Sequence, residues 1–167
     1  MPEIRFVALS PETLTALIDG DLAAASRFAG VELSEFLLSE EWLWRIRRDQ
    51  IQEDPASAEW VVRAVVDAES GQVVGHGGFH GPPDEDGAVE VAYSVDPQFR
   101  RRGYARAILT ALVERARAEP SVRSVRASIR PDNAGSLATI SGFGFRKVGE
   151  QLDPEDGLEF VFQRPAS

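Results

Sequence analysis

The sequence predicts an α/β fold, and three observations carry the prediction. Apolar residues recur at i, i+3, i+4 spacing from Ala105 to Ala116. Residues 89–95, 122–129 and 158–163 read as strands. Gly103, Pro120 and Arg130-Pro131-Asp132-Asn133 punctuate them. From Val89 onward the order is β-α-β-α-β.

The first strand of that run contains Val89-Glu90-Val91-Ala92-Tyr93-Ser94-Val95 and turns at Asp96-Pro97. Arg100-Arg101-Arg102 follow, then Gly103, which opens a helix. Glycine lets the backbone approach a ligand closely, and a helix start offers unpaired N–H groups at the positive end of a dipole. The combination forms a seat for a phosphate, and three arginines favour a polyanion. The helix presents Ala105, Ile108, Leu109, Leu112, Val113 and Ala116 on one face and Arg106, Glu114, Arg115 and Arg117 on the other. It stops at Pro120. Asn133 is an N-cap candidate for a short helix over Ala134 to Ser141. Gly142 to Phe145, a polar turn and a last strand near Leu158 to Gln163 complete the chain.

In the N-terminal half, Ile4 to Leu9 reads as a strand. Ser10-Pro11-Glu12 starts a helix, with Ser at the cap and Pro in the first turn, continuing over Thr13 to Ile18. A second helical region over Glu40 to Glu53 has Trp42, Leu43, Ile46 and Ile51 as its apolar set. Trp42 and Trp44 cannot share one stripe; one of them could line an acceptor pocket, and core packing is the reading taken for Trp42. Trp60 to Asp67 and Gln72 to Phe79 form a strand pair turning at Glu69-Ser70-Gly71, and Gly81 to Gly87 is a loop.

Composition narrows the function. A chain of 167 residues, 43% hydrophobic, suits a single domain over residues 1–167. Without Cys there is neither a disulfide framework nor a thiolate metal site, and no metal is expected. No apolar run approaches the ~20 residues that span a bilayer. Met1-Pro2-Glu3-Ile4-Arg5 does not read as a signal peptide, so cytoplasmic residence is the expectation. Residues 1–87 carry 17 Asp+Glu against 6 Lys+Arg, a net of -11, and residues 88–167 carry 10 against 12, a net of +2. The basic half holds the phosphate seat. The acidic half either favours a cationic partner such as a protonated amine or simply keeps the protein soluble. Nucleic-acid binding is disfavoured.

Three ordered motifs are similar to those of the GNAT superfamily of acyl-CoA-dependent N-acetyltransferases. Arg100-Arg101-Arg102-Gly103-Tyr104-Ala105 fits the Q/R-x-x-G-x-G/A loop that holds the coenzyme A pyrophosphate. Asp132-Asn133-Ala134-Gly135-Ser136 and Gly144-Phe145-Arg146-Lys147-Val148-Gly149 resemble the later N-x-x-S…GF motif. Glu90-Val91-Ala92-Tyr93 with Asp96-Pro97 resembles the ribosomal-protein N-terminal (alpha-amino) acetyltransferase branch. The match is good from Val73 onward and loose before it.

The resemblance implies a mixed, mostly antiparallel central sheet of about six or seven strands flanked by helices. It implies transfer of an acetyl group from acetyl-CoA to a primary amine, either a protein alpha-amino group or a small-molecule amine. The main chain of Tyr93, Ser94 and Val95 would pair with the pantetheine arm. Arg100 to Ala105 and Arg106 would hold the phosphates, and Asn133 would bind pantetheine or simply cap its helix. The acceptor wall would lie between Phe28 and Gln52. Homodimers are frequent among relatives.

Glu90 is the candidate base. It sits mid-strand among valines, where it is either a catalytic carboxylate or an outward-facing charge. A second branch of the family takes its base from the position of Ser128 and its tyrosine acid from that of Ile140, so neither group is present here. Ser136 is the candidate acid, or only a first-turn hydrogen-bonding residue. His76 and His80 would share a strand face and could line the acceptor site, though a metal pair without a third ligand is weak. Two other readings stand beside acetyl transfer: a non-catalytic acyl-CoA-binding regulatory module, and transfer of a longer acyl group such as succinyl.

Overall fold

The computed structural model describes residues 1–167. It has seven strands and six α-helices, and the chain divides into two compact units. The first comprises residues 1–82 and 92–108, and the second comprises residues 83–91 and 109–167.

In the first unit, β1 (Ile4–Val7), β2 (Arg63–Asp67) and β3 (Val73–Phe79) form consecutive antiparallel pairs. The later residues of β4 (Ala88–Val95) lie next to β3 in the strand order. Their approach is close: a Cβ on Gly75 would collide with the Ser94 carbonyl oxygen, so that position requires glycine.

Four helices cover this sheet: α1 (Pro11–Ile18), α2 (Leu22–Ala29), α3 (Glu35–Leu38) and α4 (Glu41–Glu53). Ser10 caps α1 as expected, its hydroxyl accepting the Thr13 N–H at 3.2 Å behind Pro11. Asp21 caps α2 in the same way through the Ala24 N–H at 3.0 Å. Leu14, Leu17, Leu37, Leu43, Trp44 and Ile51 pack with Ala64 and Val66 into one core.

The apolar stripe of α4 differs from the expected one. Trp42 is 54% exposed and Ile46 47% exposed, whereas Trp44 is fully buried. The buried face is Leu43, Trp44, Arg47 and Ile51. Trp42 and Ile46 are four apart and form a stripe of their own, so apolar spacing alone fits two neighbouring faces. The tie is broken at the indole of Trp44, whose Nε1 donates to the Leu37 carbonyl at 2.6 Å.

The second unit has strand order β4-β5-β7-β6. The early residues of β4 run parallel to β5 (Ser124–Ile129), with Glu90 opposite Arg126. β5 is antiparallel to β7 (Gly157–Pro165), which is antiparallel to β6 (Arg146–Asp153). The sheet is therefore mixed and mostly antiparallel, and the α/β class follows the expectation. Val125, Ala127 and Ile129 are buried, while Ser124, Arg126 and Ser128 alternate with them on a half-solvated face.

Helix α5 (Tyr104–Ala118) buries Leu109, Leu112, Val113 and Ala116 in this unit. Ala107 is also buried and Ala105 only partly, a one-position drift from the expected stripe. Asn133 caps α6 (Ala134–Ile140) through the Ser136 N–H at 3.1 Å. β6 replaces the expected polar turn. Seven of its eight residues are exposed, so no apolar alternation marks it as a strand. No helix is long and apolar enough to cross a membrane.

Candidate functional site

The candidate anion seat is built in the first unit by the chain leaving β4. The Asp96 carboxylate accepts the Gln98 N–H at 3.1 Å and so closes a tight turn at Pro97–Phe99. Arg100 Nε donates back to the Val95 carbonyl at 3.1 Å, fixing the strand's exit. Arg101 then adopts φ 62° and Gly103 φ 87°, both left-handed. Arg101 is the chain's non-glycine residue of positive φ, a conformation that costs energy unless the surroundings enforce it. Left-handed residues beside ordinary ones turn successive N–H groups toward a common point, forming a concavity suited to an anion.

Helix α5 begins at once behind this loop, fifteen residues long and with no acidic residue in its first turn. A helix start leaves N–H groups open at the positive end of its dipole. Arg101, Arg102, Gly103 and Arg106 are exposed, and the Arg102 guanidinium lies 5.6 Å above the Phe99 ring. Main-chain amides, a positive dipole and nearby arginines fit a diphosphate.

Two residues of this loop do something other than expected. Tyr104 turns its side chain inward: its ring is buried and packs edge-on to Phe99, and its hydroxyl donates to Asp67 Oδ2 at 2.5 Å. Only its main chain is left for a ligand. Gly103 is constrained from the protein side too, since a Cβ there would sit 3.1 Å from Pro2 Cδ. Close ligand approach is therefore not the only reason for glycine at this position.

The candidate carboxylate Glu90 lies in the second unit. Asp84 prepares the start of β4 by accepting the Ala88 and Asp86 N–H groups, each at 2.9 Å. The Ala88 bond above all holds its carboxyl below the ordinary aspartate range. Glu90, half-buried, has Oε1 3.2 Å from Ser128 Oγ on β5. Gln151 Nε2 on β6 donates to the same Ser128 Oγ at 3.2 Å and to Glu159 Oε1 on β7 at 3.0 Å. Arg126 Nε donates to Gln163 at 3.0 Å on that face. The structure thus brings together Glu90 and Ser128, and adds Gln151 and Glu159, which sequence reasoning did not single out. Alternation of polar residues in β5 marks the face of Ser128, but no local pattern marks Gln151 on β6 or Glu159 on β7.

Asn133 Oδ1 is occupied by its capping bond, and Ser136, whose amide makes that bond, is half-buried. Ile140 is buried.

The two histidines do not share a face. β3 ends at Phe79, His80 lies beyond it and is exposed, and His76 is buried. His76 Nε2 lies 3.2 Å from Glu40 Oε1, its ring stacks on Phe36 at 6.0 Å, and Trp44 packs edge-on at 5.3 Å. The bond to His76, ahead of its other interactions, holds the Glu40 carboxyl below the ordinary range. No group of three or more His, Asp or Glu is arranged to hold a metal ion. A groove of about 450 Å³ between α1 and α2 is lined by residues including Glu12, Thr15, Asp19, Asp21 and Phe28.

The fold is an α/β domain with a mixed sheet, and comparison with known proteins gives the family. Residues 6–146 match the family model described as an acetyltransferase (GNAT) domain, and the chain belongs to that family. An uncharacterized N-acetyltransferase, YjdG, of Bacillus subtilis (strain 168) is 31% identical over 86 residues. That match spans 52% of this chain and 49% of YjdG, about half the length of that relative. Among solved structures, a ribosomal-protein-S5-alanine acetyltransferase from Vibrio fischeri superposes with TM-score 0.67 at 15% identity, covering 100% of this chain and 95% of the other. A phosphinothricin acetyltransferase from Sinorhizobium meliloti, in complex with AcCoA, gives TM-score 0.62 at 20% identity, covering 98% and 88%. At those identities the likeness is one of fold.

Proposed function

We propose that the protein transfers an acetyl group from acetyl-CoA to a primary amine by direct attack, with Glu90 as the base. The observation that carries this reading is the continuity of one segment: β4 bears Glu90, and the chain leaves it through the turn at Pro97–Phe99 into the left-handed loop at Arg101 to Gly103. Family membership and the AcCoA bound to the Sinorhizobium meliloti neighbour support the choice of co-substrate.

The chemistry needs a neutral amine, because only its lone pair can attack the thioester carbon. A lysine-like amine is neutral in about one molecule in a thousand at pH 7, and a peptide alpha-amino group in roughly a tenth. As the C–N bond forms, Glu90 takes the proton from nitrogen, directly or through a water. As the C–S bond breaks, the departing thiolate takes a proton, for which the Ser136 hydroxyl is our candidate donor. Main-chain N–H groups of Tyr93 to Val95 would polarise the thioester carbonyl. The acidic balance of residues 1–87 suits a cationic acceptor, either a protein alpha-amino group or a small amine.

The test is Glu90→Gln, assayed as CoA release with a panel of amines. Turnover is expected to fall by about 10²-fold or more while CoA affinity is retained. Unchanged turnover would remove Glu90 from the mechanism, and CoA binding without turnover on any amine would favour a non-catalytic module.

A further inference from the structure

We infer that Ser128 and Gln151 are positioning residues for Glu90, forming a hydrogen-bond chain of fixed direction that holds the carboxylate in one orientation. The inference rests on Glu90 acting as the base.

The direction follows from counting protons. Gln151 Nε2 can only donate, and it lies 3.0 Å from Glu159 Oε1 and 3.2 Å from Ser128 Oγ. Exchanging the amide nitrogen and oxygen would set the Gln151 oxygen against the Glu159 carboxylate, two acceptors in contact, so the orientation is fixed by Glu159. Ser128 Oγ therefore accepts from Gln151. Its single proton is left for Glu90 Oε1, which as a carboxylate can only accept, at 3.2 Å. The chain runs Gln151 to Ser128 to Glu90 with every proton assigned, anchored by the buried Glu159.

The strand registers place the members on one face. Glu90 is opposite Arg126, two residues from Ser128, which is opposite Val161, and Gln151 is opposite Glu159, two residues from Val161. The bond from Ser128 fixes the Glu90 carboxyl rotamer.

The experiment is steady-state kinetics with one amine acceptor, with kcat and KM separated. For Ser128→Ala kcat is expected to fall by about tenfold, with KM for the amine and CoA affinity unchanged. Ser128→Thr, which keeps the hydroxyl, should restore kcat. Gln151→Leu should lower kcat by less. A kcat in Ser128→Ala equal to that of wild type would overturn the inference while leaving Glu90 in place. Full turnover in Glu90→Gln would instead overturn the underlying reading, and the inference with it.

Discussion

The Asp67 carboxylate holds Tyr104: the phenol donates to Oδ2 at 2.5 Å while Oδ1 accepts the amides of Glu69 and Ser70 at 3.0 and 2.8 Å. One carboxylate thus closes the turn between β2 and β3 and fixes the first residue of α5, next to the anion seat. The phenol first, then the Ser70 amide, holds Asp67 below the ordinary aspartate range. Tyr104 is pushed above the ordinary tyrosine value because its proton is shared with that anion.

Tyr104→Phe should therefore loosen the loop without removing any group that faces a ligand. We expect CoA affinity to fall several-fold and the melting temperature to drop. The pH dependence has a definite sign. A depressed aspartate contributes stability above its unfolded value, about 3.9, and loses it as pH falls through the lower folded value. The raised phenol contributes below about 10 and loses it only above its folded value. The gap in melting temperature between wild type and Tyr104→Phe should thus hold from about pH 5 to 9 and close in acid. A gap that persists undiminished near pH 2 would refute the role of the ionised carboxylate.

Gly103 and Arg101 separate backbone shape from ligand contact. Gly103→Val forces a β-branched residue to φ 87° beside Pro2, so both stability and CoA affinity should fall, the latter at least about tenfold. Arg101→Gly relieves the strain at φ 62° and removes one cation. It should keep or raise the melting temperature while weakening CoA binding. Calorimetry showing normal affinity in Gly103→Val would move the diphosphate away from this loop.

The parts of the fold legible in the sequence were those with local causes. Ser10-Pro11 and Asn133 announce helix starts because a cap is a contact between residues two or three apart, and both bonds are present. The start of α5 behind Gly103 was legible for the same reason. β6 was not: as an exposed edge strand it is specified by pairing with β7, and only Lys147, over the Phe160 ring at 3.7 Å, ties a polar side chain to an aromatic one. The inward turn of Tyr104 depends on Asp67, 37 residues earlier, and the Glu90 network depends on pairings 38 and 23 residues apart. Spacing rules carry no information at that range. His76 and Glu40 are likewise 36 residues apart.

The two tryptophans of α4 put the corrected core to a direct test. Trp44 is wholly buried, donates to Leu37 at 2.6 Å and packs against His76, so Trp44→Ala removes packing, opens a cavity and leaves the Leu37 carbonyl short of its donor. The expected loss is about 3–5 kcal/mol, a large part of the stability of a domain this size. Trp42 is more than half exposed, and its indole reaches only the Glu40 carboxylate at 3.2 Å, so Trp42→Ala should stay within about 0.5 kcal/mol. Urea titration of both variants measures the difference. Equal losses, or a larger loss at Trp42, would mean that the helix turns its other stripe to the core. In that case the pairing of Glu40 with His76, which depends on the same rotation of α4, would fail as well.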